Sequence, residues 1–157
     1  MKRCFIFILA AALCLTGCGK KADEATAQIF AMDTVMDLTA YGENAAAALT
    51  DASREINRLE RLLSRTIDTS EISQINASGA VTVSEETASL LAQAQTYTAA
   101  TDGAFDITIA PLVSLWGITT DSPYVPTQQE IDALLPLVGP EHLHLSGDTA
   151  TLDDGCA

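Results

Sequence analysis

The sequence predicts an α+β domain. Apolar and polar residues alternate from Phe30 to Thr39, and apolar residues recur every three or four positions from Leu49 to Leu63. Beyond them, helical and extended signals follow one another without a regular βαβ rhythm. A chain of 157 residues that is 48% hydrophobic and 18% charged can bury one core and is neither disordered nor of low complexity. Its 21 acidic against 8 basic residues, a net charge of −13, argue against nucleic acid, which is held by clustered lysine and arginine.

The chain opens with an address. Lys2 and Arg3 precede an apolar run from Cys4 to Leu15, too short for a bilayer span of about 20 residues. Leu15-Thr16-Gly17-Cys18 follows and resembles a bacterial lipobox, in which cleavage leaves Cys18 lipid-modified at the new N-terminus. The alternative is an ordinary secretory signal that contains a cysteine. Residues 1–17 are therefore expected to be a lipoprotein signal peptide, 18–27 a polar tether carrying Lys20, Lys21, Asp23 and Glu24, and 28–157 the folded part. The expected location is the outer face of the bacterial cell membrane, the periplasmic face if there are two membranes. Cys4 and Cys14 leave with the signal and Cys18 carries lipid, so Cys156 alone remains and no internal disulfide can form.

The folded part reads as follows. The alternation Phe30, Met32, Thr34, Met36, Leu38 against Ala31, Asp33, Val35, Asp37, Thr39 predicts a strand. Tyr41-Gly42-Glu43-Asn44 is a turn, and Leu49, Ala52, Ile56, Leu59 and Leu63 mark one face of a helix. A short helix starts near Ser70, a turn falls at Ala77-Ser78-Gly79, and Val81-Thr82-Val83 forms a short strand. Ser84 followed by Glu85 and Glu86 starts a helix that reaches about Ala100, where Thr101-Asp102-Gly103 breaks it. Ala104 to Ala110 reads as a buried strand ended by Pro111. Thr127 and Glu130 have capping-box spacing for a helix to about Leu135, stopped by Pro136, Gly139 and Pro140. His142–Leu145 and Thr149–Leu152 form a hairpin across Ser146-Gly147-Asp148.

Neither a GxGxxG fingerprint nor a Gly-Lys-Ser/Thr run is present in the folded part, so any nucleotide is bound by another route. Arg54, Arg58, Arg61 and Arg65 share one helix face, which reads as a solvated face beside Asp51, Glu55 and Glu60, or as a docking stripe for an acidic partner. His142 and His144 are two apart on one strand face with no third ligand evident nearby, so they read as surface or core residues rather than a metal site.

The most informative run is Thr101-Asp102-Gly103-Ala104-Phe105-Asp106-Ile107-Thr108-Ile109-Ala110-Pro111-Leu112-Val113, continuing to Leu115-Trp116-Gly117. One reading is a turn, a buried strand and a tryptophan filling a core. Yet Asp106 then sits in an apolar strand, where a carboxylate must be hydrogen-bonded or paired. Backbone N–H groups after a glycine turn, with one fixed carboxylate, suit a polar ligand.

This run resembles the TDGAFDxTxxPLxxLWG signature of the FAD:protein FMN transferases, the ApbE-type lipoproteins. Ala31-Met32-Asp33-Thr34 sits where that family has Met-Gly-Thr on its first strand. Leu62-Leu63-Ser64 with Ser70 to Asn76 resembles its LLS…SEI segment, and Pro126 to Leu134 its next helix. Ser78-Gly79-Ala80-Val81 resembles the motif on which exported proteins carry covalent FMN, but Val81 lacks the hydroxyl and Ile75 stands in place of Asp, so it is not an acceptor.

The resemblance implies an ApbE-type flavin transferase fold, cut short so that residues 28–157 are its N-terminal part. It implies transfer of FMN from FAD to a Thr or Ser of an exported acceptor protein, with Mg²⁺ and release of AMP. Met32, Ala104, Phe105 and Asp106 are implied FAD contacts. The resemblance leaves the catalytic residues unknown, and the Mg²⁺ ligands are expected downstream of residue 157. Thr66 stands where many members carry a flavin-contacting tyrosine. The alternatives are an FAD pyrophosphatase, or a non-catalytic lipoprotein fragment that binds flavin or a partner.

Overall fold

The computed structural model describes residues 23–118 and 120–156, and the chain divides into two units between Ile56 and Asn57. The expected signal peptide and the expected lipidation site Cys18 lie outside the described residues. In the first unit, strand β1 (Glu24–Ala31) pairs antiparallel with β2 (Thr34–Tyr41), from Glu24 opposite Tyr41 to Ala31 opposite Thr34. The expected tether therefore becomes strand from Glu24 onward, because Ala25, Ala27 and Ile29 form one face opposite Ala40, Leu38 and Met36.

The single strand expected over residues 30–39 is two. Met32 and Asp33, at φ 52° and 59°, form a two-residue turn with both residues left-handed, the geometry that matches strand twist. Because Ala31 and Thr34 are partners, the phase of the alternation reverses at the turn. Phe30 and Val35 consequently point outward and are exposed. Helix α1 (Ala45–Leu63) follows the Gly42 turn, where the Ala45 N–H donates to the Gly42 carbonyl at 3.0 Å.

The second unit holds the hydrophobic core. Helix α2 (Glu71–Ser78) is capped by Ser70, whose Oγ accepts the Ser73 N–H at 3.0 Å. Gly79 ends the helix at φ 73°, a conformation that glycine adopts without cost, and the chain enters β3 (Ala80–Thr82). Helix α3 (Glu85–Ala100) starts at the Ser84 cap. Glu71 clips the two helix starts together, accepting the Ser84 N–H and hydroxyl, each at 2.9 Å.

Helix α4 (Ala110–Trp116) ends at left-handed Gly117, where a Cβ would lie 2.8 Å from the Ser122 carbonyl oxygen. Helix α5 (Gln128–Leu134) carries the expected capping box of Thr127 and Glu130. Two 3₁₀ turns, Leu135–Leu137 and Pro140–His142, lead into β4 (Leu143–Ser146), which turns into β5 (Thr149–Leu152). The expected hairpin starts one residue late, because His142 closes the 3₁₀ turn that Pro140 begins.

The second sheet has the order β3-β5-β4, antiparallel throughout. Ile75, Val83, Leu91, Leu143, Ala150, Leu152 and Cys156 form the core over it. The Gln95 side chain ties α3 to the sheet by donating to the Leu143 carbonyl at 2.7 Å.

The strand expected over Ala104–Ala110 does not form. Asp106 folds its carboxylate back onto the chain two residues ahead, which turns the backbone, and Pro111 starts a helix rather than stopping a strand. Trp116 is 38% exposed, so it does not fill a core.

Candidate functional site

The loop between α3 and α4 carries three of the expected site residues. Asp102 and Gly103, at φ 51° and 80°, swing the chain away from the helix end. The Phe105 N–H donates to Thr101 Oγ1 at 3.1 Å, and the Phe105 ring meets Tyr97 edge-on, with centroids 6.4 Å apart at 78°. Ala104 is exposed and Phe105 is 44% exposed, so both are presented on the surface.

Asp106 is half-buried in this loop rather than enclosed in a strand. Its Oδ1 accepts the Thr108 N–H at 2.8 Å and the Thr108 hydroxyl at 2.7 Å. Thr108 is itself buried, and its Oγ1 accepts the Gly139 N–H at 2.8 Å. The sequence reading missed this pair. An Asp two residues before a Thr is a local turn signal, but nothing local announces Gly139, 31 residues away in the chain.

Behind the loop lies a cavity of about 310 Å³, reached by Phe105, Ile107 and Thr108 on one side and by Leu91, Ala94 and Leu143 on the other. Its lining is apolar apart from Asn76 and Thr108, which suits a flat, largely apolar group with few polar contacts.

Met32 lies in the first unit, on the β1–β2 turn, and is 45% exposed. A bulky residue held left-handed is uncommon and marks a constrained position. Asp33 stands where the resembled family has glycine and occupies the second left-handed place, which Asp tolerates better than most residues.

Around the start of α2, serine hydroxyls close the turn: Ser64 Oγ accepts the N–H groups of Thr66 and Ile67, at 3.1 and 3.2 Å. Thr66 thus stands exposed beside a structural serine. The Ser78 hydroxyl donates back to the Gln74 carbonyl at 2.7 Å, which gives it a helix-terminal role.

Arg54 and Arg58 of this helix face are in ion pairs. Arg54 meets Asp51 at 2.9 Å, and Arg58 makes a two-pronged contact with Glu86 at 2.9 Å for each prong. His142 and His144 both face Asp153, with Nδ1 and Nε2 at 3.1 and 3.0 Å from its two oxygens. Asp153 lies across the ladder from His142, one step beyond the Leu143–Leu152 pair. Its hydrogen bond raises the His142 pKa above the ordinary 6.5, and the two imidazoles lower that of Asp153. Burial, then nearby carboxylates, push the Cys156 thiol pKa up.

Among the described residues, no group of three or more His, Cys, Asp or Glu is placed to hold a metal ion. Nor is any described helix long and apolar enough to cross a membrane.

Comparison with known proteins gives one answer. The ApbE family model matches residues 32–156. The chain is 31% identical over 160 residues to the FAD:protein FMN transferase of Vibrio cholerae, covering 96% of this chain and 48% of that protein. It is 32% identical to the FAD:protein FMN transferase of Salmonella typhimurium, covering 92% and 46%. Among solved structures, the ApbE protein of Thermotoga maritima superposes with a TM-score of 0.80 at 26% identity, over 85% of this chain and 46% of that one. The flavin transferase ApbE of Vibrio cholerae gives a TM-score of 0.73 at 28% identity, over 84% and 46%. The chain spans about half the length of the curated relatives it matches.

Proposed function

This chain belongs to the ApbE family, and on that premise we propose that it supplies about half of an FAD:protein FMN transferase. FAD is the substrate. A Thr or Ser hydroxyl oxygen of an exported acceptor protein attacks the phosphorus on the FMN side of the pyrophosphate. The bond to the AMP oxygen breaks, AMP leaves, and the hydroxyl proton is given up to solvent. Such a reaction depends on positioning and on neutralising phosphate charge. Mg²⁺ would supply that neutralisation in this family, but the described residues offer no ligand set for it, and no step here passes through it.

The observation that carries the reading is the 101–110 loop. It holds Phe105 open at the mouth of an apolar cavity and fixes the neighbouring carboxylate from one side. Met32, Ala104, Phe105 and Asp106 are the proposed FAD contacts. Phe105 gives a ring face for the flavin or adenine system. Asp106, in a protein of net charge −13, is repelled by the pyrophosphate and therefore faces a neutral donor of the dinucleotide. Cys18 is the proposed lipidation site, which would tether the protein at the outer face of the membrane beside its exported acceptor.

The test is a titration of FAD fluorescence with the complete translation product that contains this chain. Phe105→Ala and Asp106→Ala should each weaken binding about tenfold or more. Unchanged affinity in both variants would remove these residues from the site.

A further inference from the structure

The Asp106 carboxylate is held on one oxygen and open on the other. Both of its hydrogen bonds, from the Thr108 N–H and hydroxyl, fall on Oδ1. Among the described residues no donor reaches Oδ2. The direction of the contacts is fixed by chemistry. The Gly139 N–H can only donate, so Thr108 Oγ1 must accept it, and the single hydroxyl proton goes to the carboxylate. Thr108 is 3% exposed, so water does not compete for these positions. The two bonds on one oxygen, 2.7 and 2.8 Å long, leave the carboxylate plane little freedom to rotate.

We propose that Thr108 is the positioning residue of the site: it anchors Asp106 to the Gly139 turn, so that Oδ2 is presented to an N–H or O–H donor of the bound dinucleotide. This rests on the reading that Asp106 contacts FAD. An ionised carboxylate oxygen only accepts, so the group it meets is a ribose or ribityl hydroxyl, a ring imide or an exocyclic amine, and not the pyrophosphate. Pre-set geometry matters because each group ordered before binding no longer has to be ordered by the ligand.

The test is a mutant cycle on the complete translation product, read by FAD affinity and by melting temperature. Thr108→Val removes the hydroxyl at equal volume and should weaken FAD about tenfold, while Thr108→Ser, which keeps both bonds, should bind within about twofold of the unmodified protein. In an Asp106→Asn background, Thr108→Val should cost less than about threefold, because the group it positions has already changed. If the valine variant melts below the assay temperature, Thr108→Ala carries the same comparison. A folded valine or alanine variant with unchanged affinity would overturn the proposal, and so would an equal loss in both backgrounds. Failure of the unmodified protein to bind FAD would instead overturn the flavin reading, and this assignment with it.

Discussion

Replacing Ser70 by alanine tests whether the turn that leads into α2 is held by its hydroxyl groups. Ser70 is fully buried. Its Oγ accepts the Ser73 N–H at 3.0 Å as the helix cap and donates to the Ser64 carbonyl, which also receives the Ser73 hydroxyl at 3.1 Å. Loss of a serine N-cap costs about 1 kcal/mol, with a range of about 0.5–2. Loss of the bond to Ser64 adds about 1 kcal/mol, since the carbonyl keeps its second donor and is not left unsatisfied. The total is about 2 kcal/mol. With a urea slope of about 2 kcal/mol per molar, the midpoint should fall by about 1 M at unchanged slope. Ser73→Ala removes one donor from the same carbonyl and leaves the cap intact, so it should cost about half as much. A loss below about 0.5 kcal/mol for Ser70→Ala, or an equal loss for both variants, would refute this reasoning.

Other perturbations give separate checks. Gly79→Ala puts a Cβ 3.3 Å from the Leu152 carbonyl oxygen at φ 73°. It should cost about 1–2 kcal/mol and lower the melting temperature by about 2–8 °C; an unchanged melting temperature would contradict the left-handed cap. At the β1–β2 turn, Asp33→Gly should be neutral or slightly stabilising, whereas Asp33→Val should cost more than about 1 kcal/mol, because a β-branched residue resists φ near 59°. Equal stability of the two variants would contradict the left-handed turn. For the His142–Asp153 contact the sign follows from the shifts. The raised His142 pKa gives stability that is complete below the ordinary 6.5 and is lost as pH rises through the folded value. The lowered Asp153 pKa gives stability that is present above the ordinary 3.8 and is lost as pH falls through the folded value. The melting-temperature advantage of the unmodified chain over Asp153→Asn should therefore be greatest between pH 3.8 and 6.5 and shrink on either side. A pH-independent difference would exclude the ion pair.

Apart from α4, whose Pro111 reads equally as the end of a strand, the helices were legible because their signals are local. Ser84 with Glu85 and Glu86, Thr127 with Glu130, and Gly79 after Ser78 each mark a helix end within a few residues, and the structure places caps at all three. The extended segments were less so, because periodicity gives a phase but not a turn. The alternation from Phe30 to Thr39 passes straight over Met32-Asp33, where the phase reverses, and glycine, the usual sign of such a turn, is replaced by Asp. The segment from Ala104 to Ala110 has the apolar content of a strand, but the Asp106–Thr108 turn outweighs it, and among the described strands none pairs with it. The loop of the proposed site was identified by its motif. What held it in place was not, since Gly139 reaches Thr108 only through the fold. The link from Asp153 to both histidines likewise required the β4–β5 register, which brings residues nine and eleven positions apart onto one face.

The most direct measurement incubates the complete translation product with FAD, Mg²⁺ and an acceptor peptide carrying a Thr or Ser, and follows AMP and the peptide mass together. The account predicts AMP and FMN-bearing peptide in equal amounts, with both reduced by Asp106→Ala. Free FMN with AMP and no peptide adduct would make the protein an FAD pyrophosphatase, and FAD left intact would contradict flavin transfer altogether.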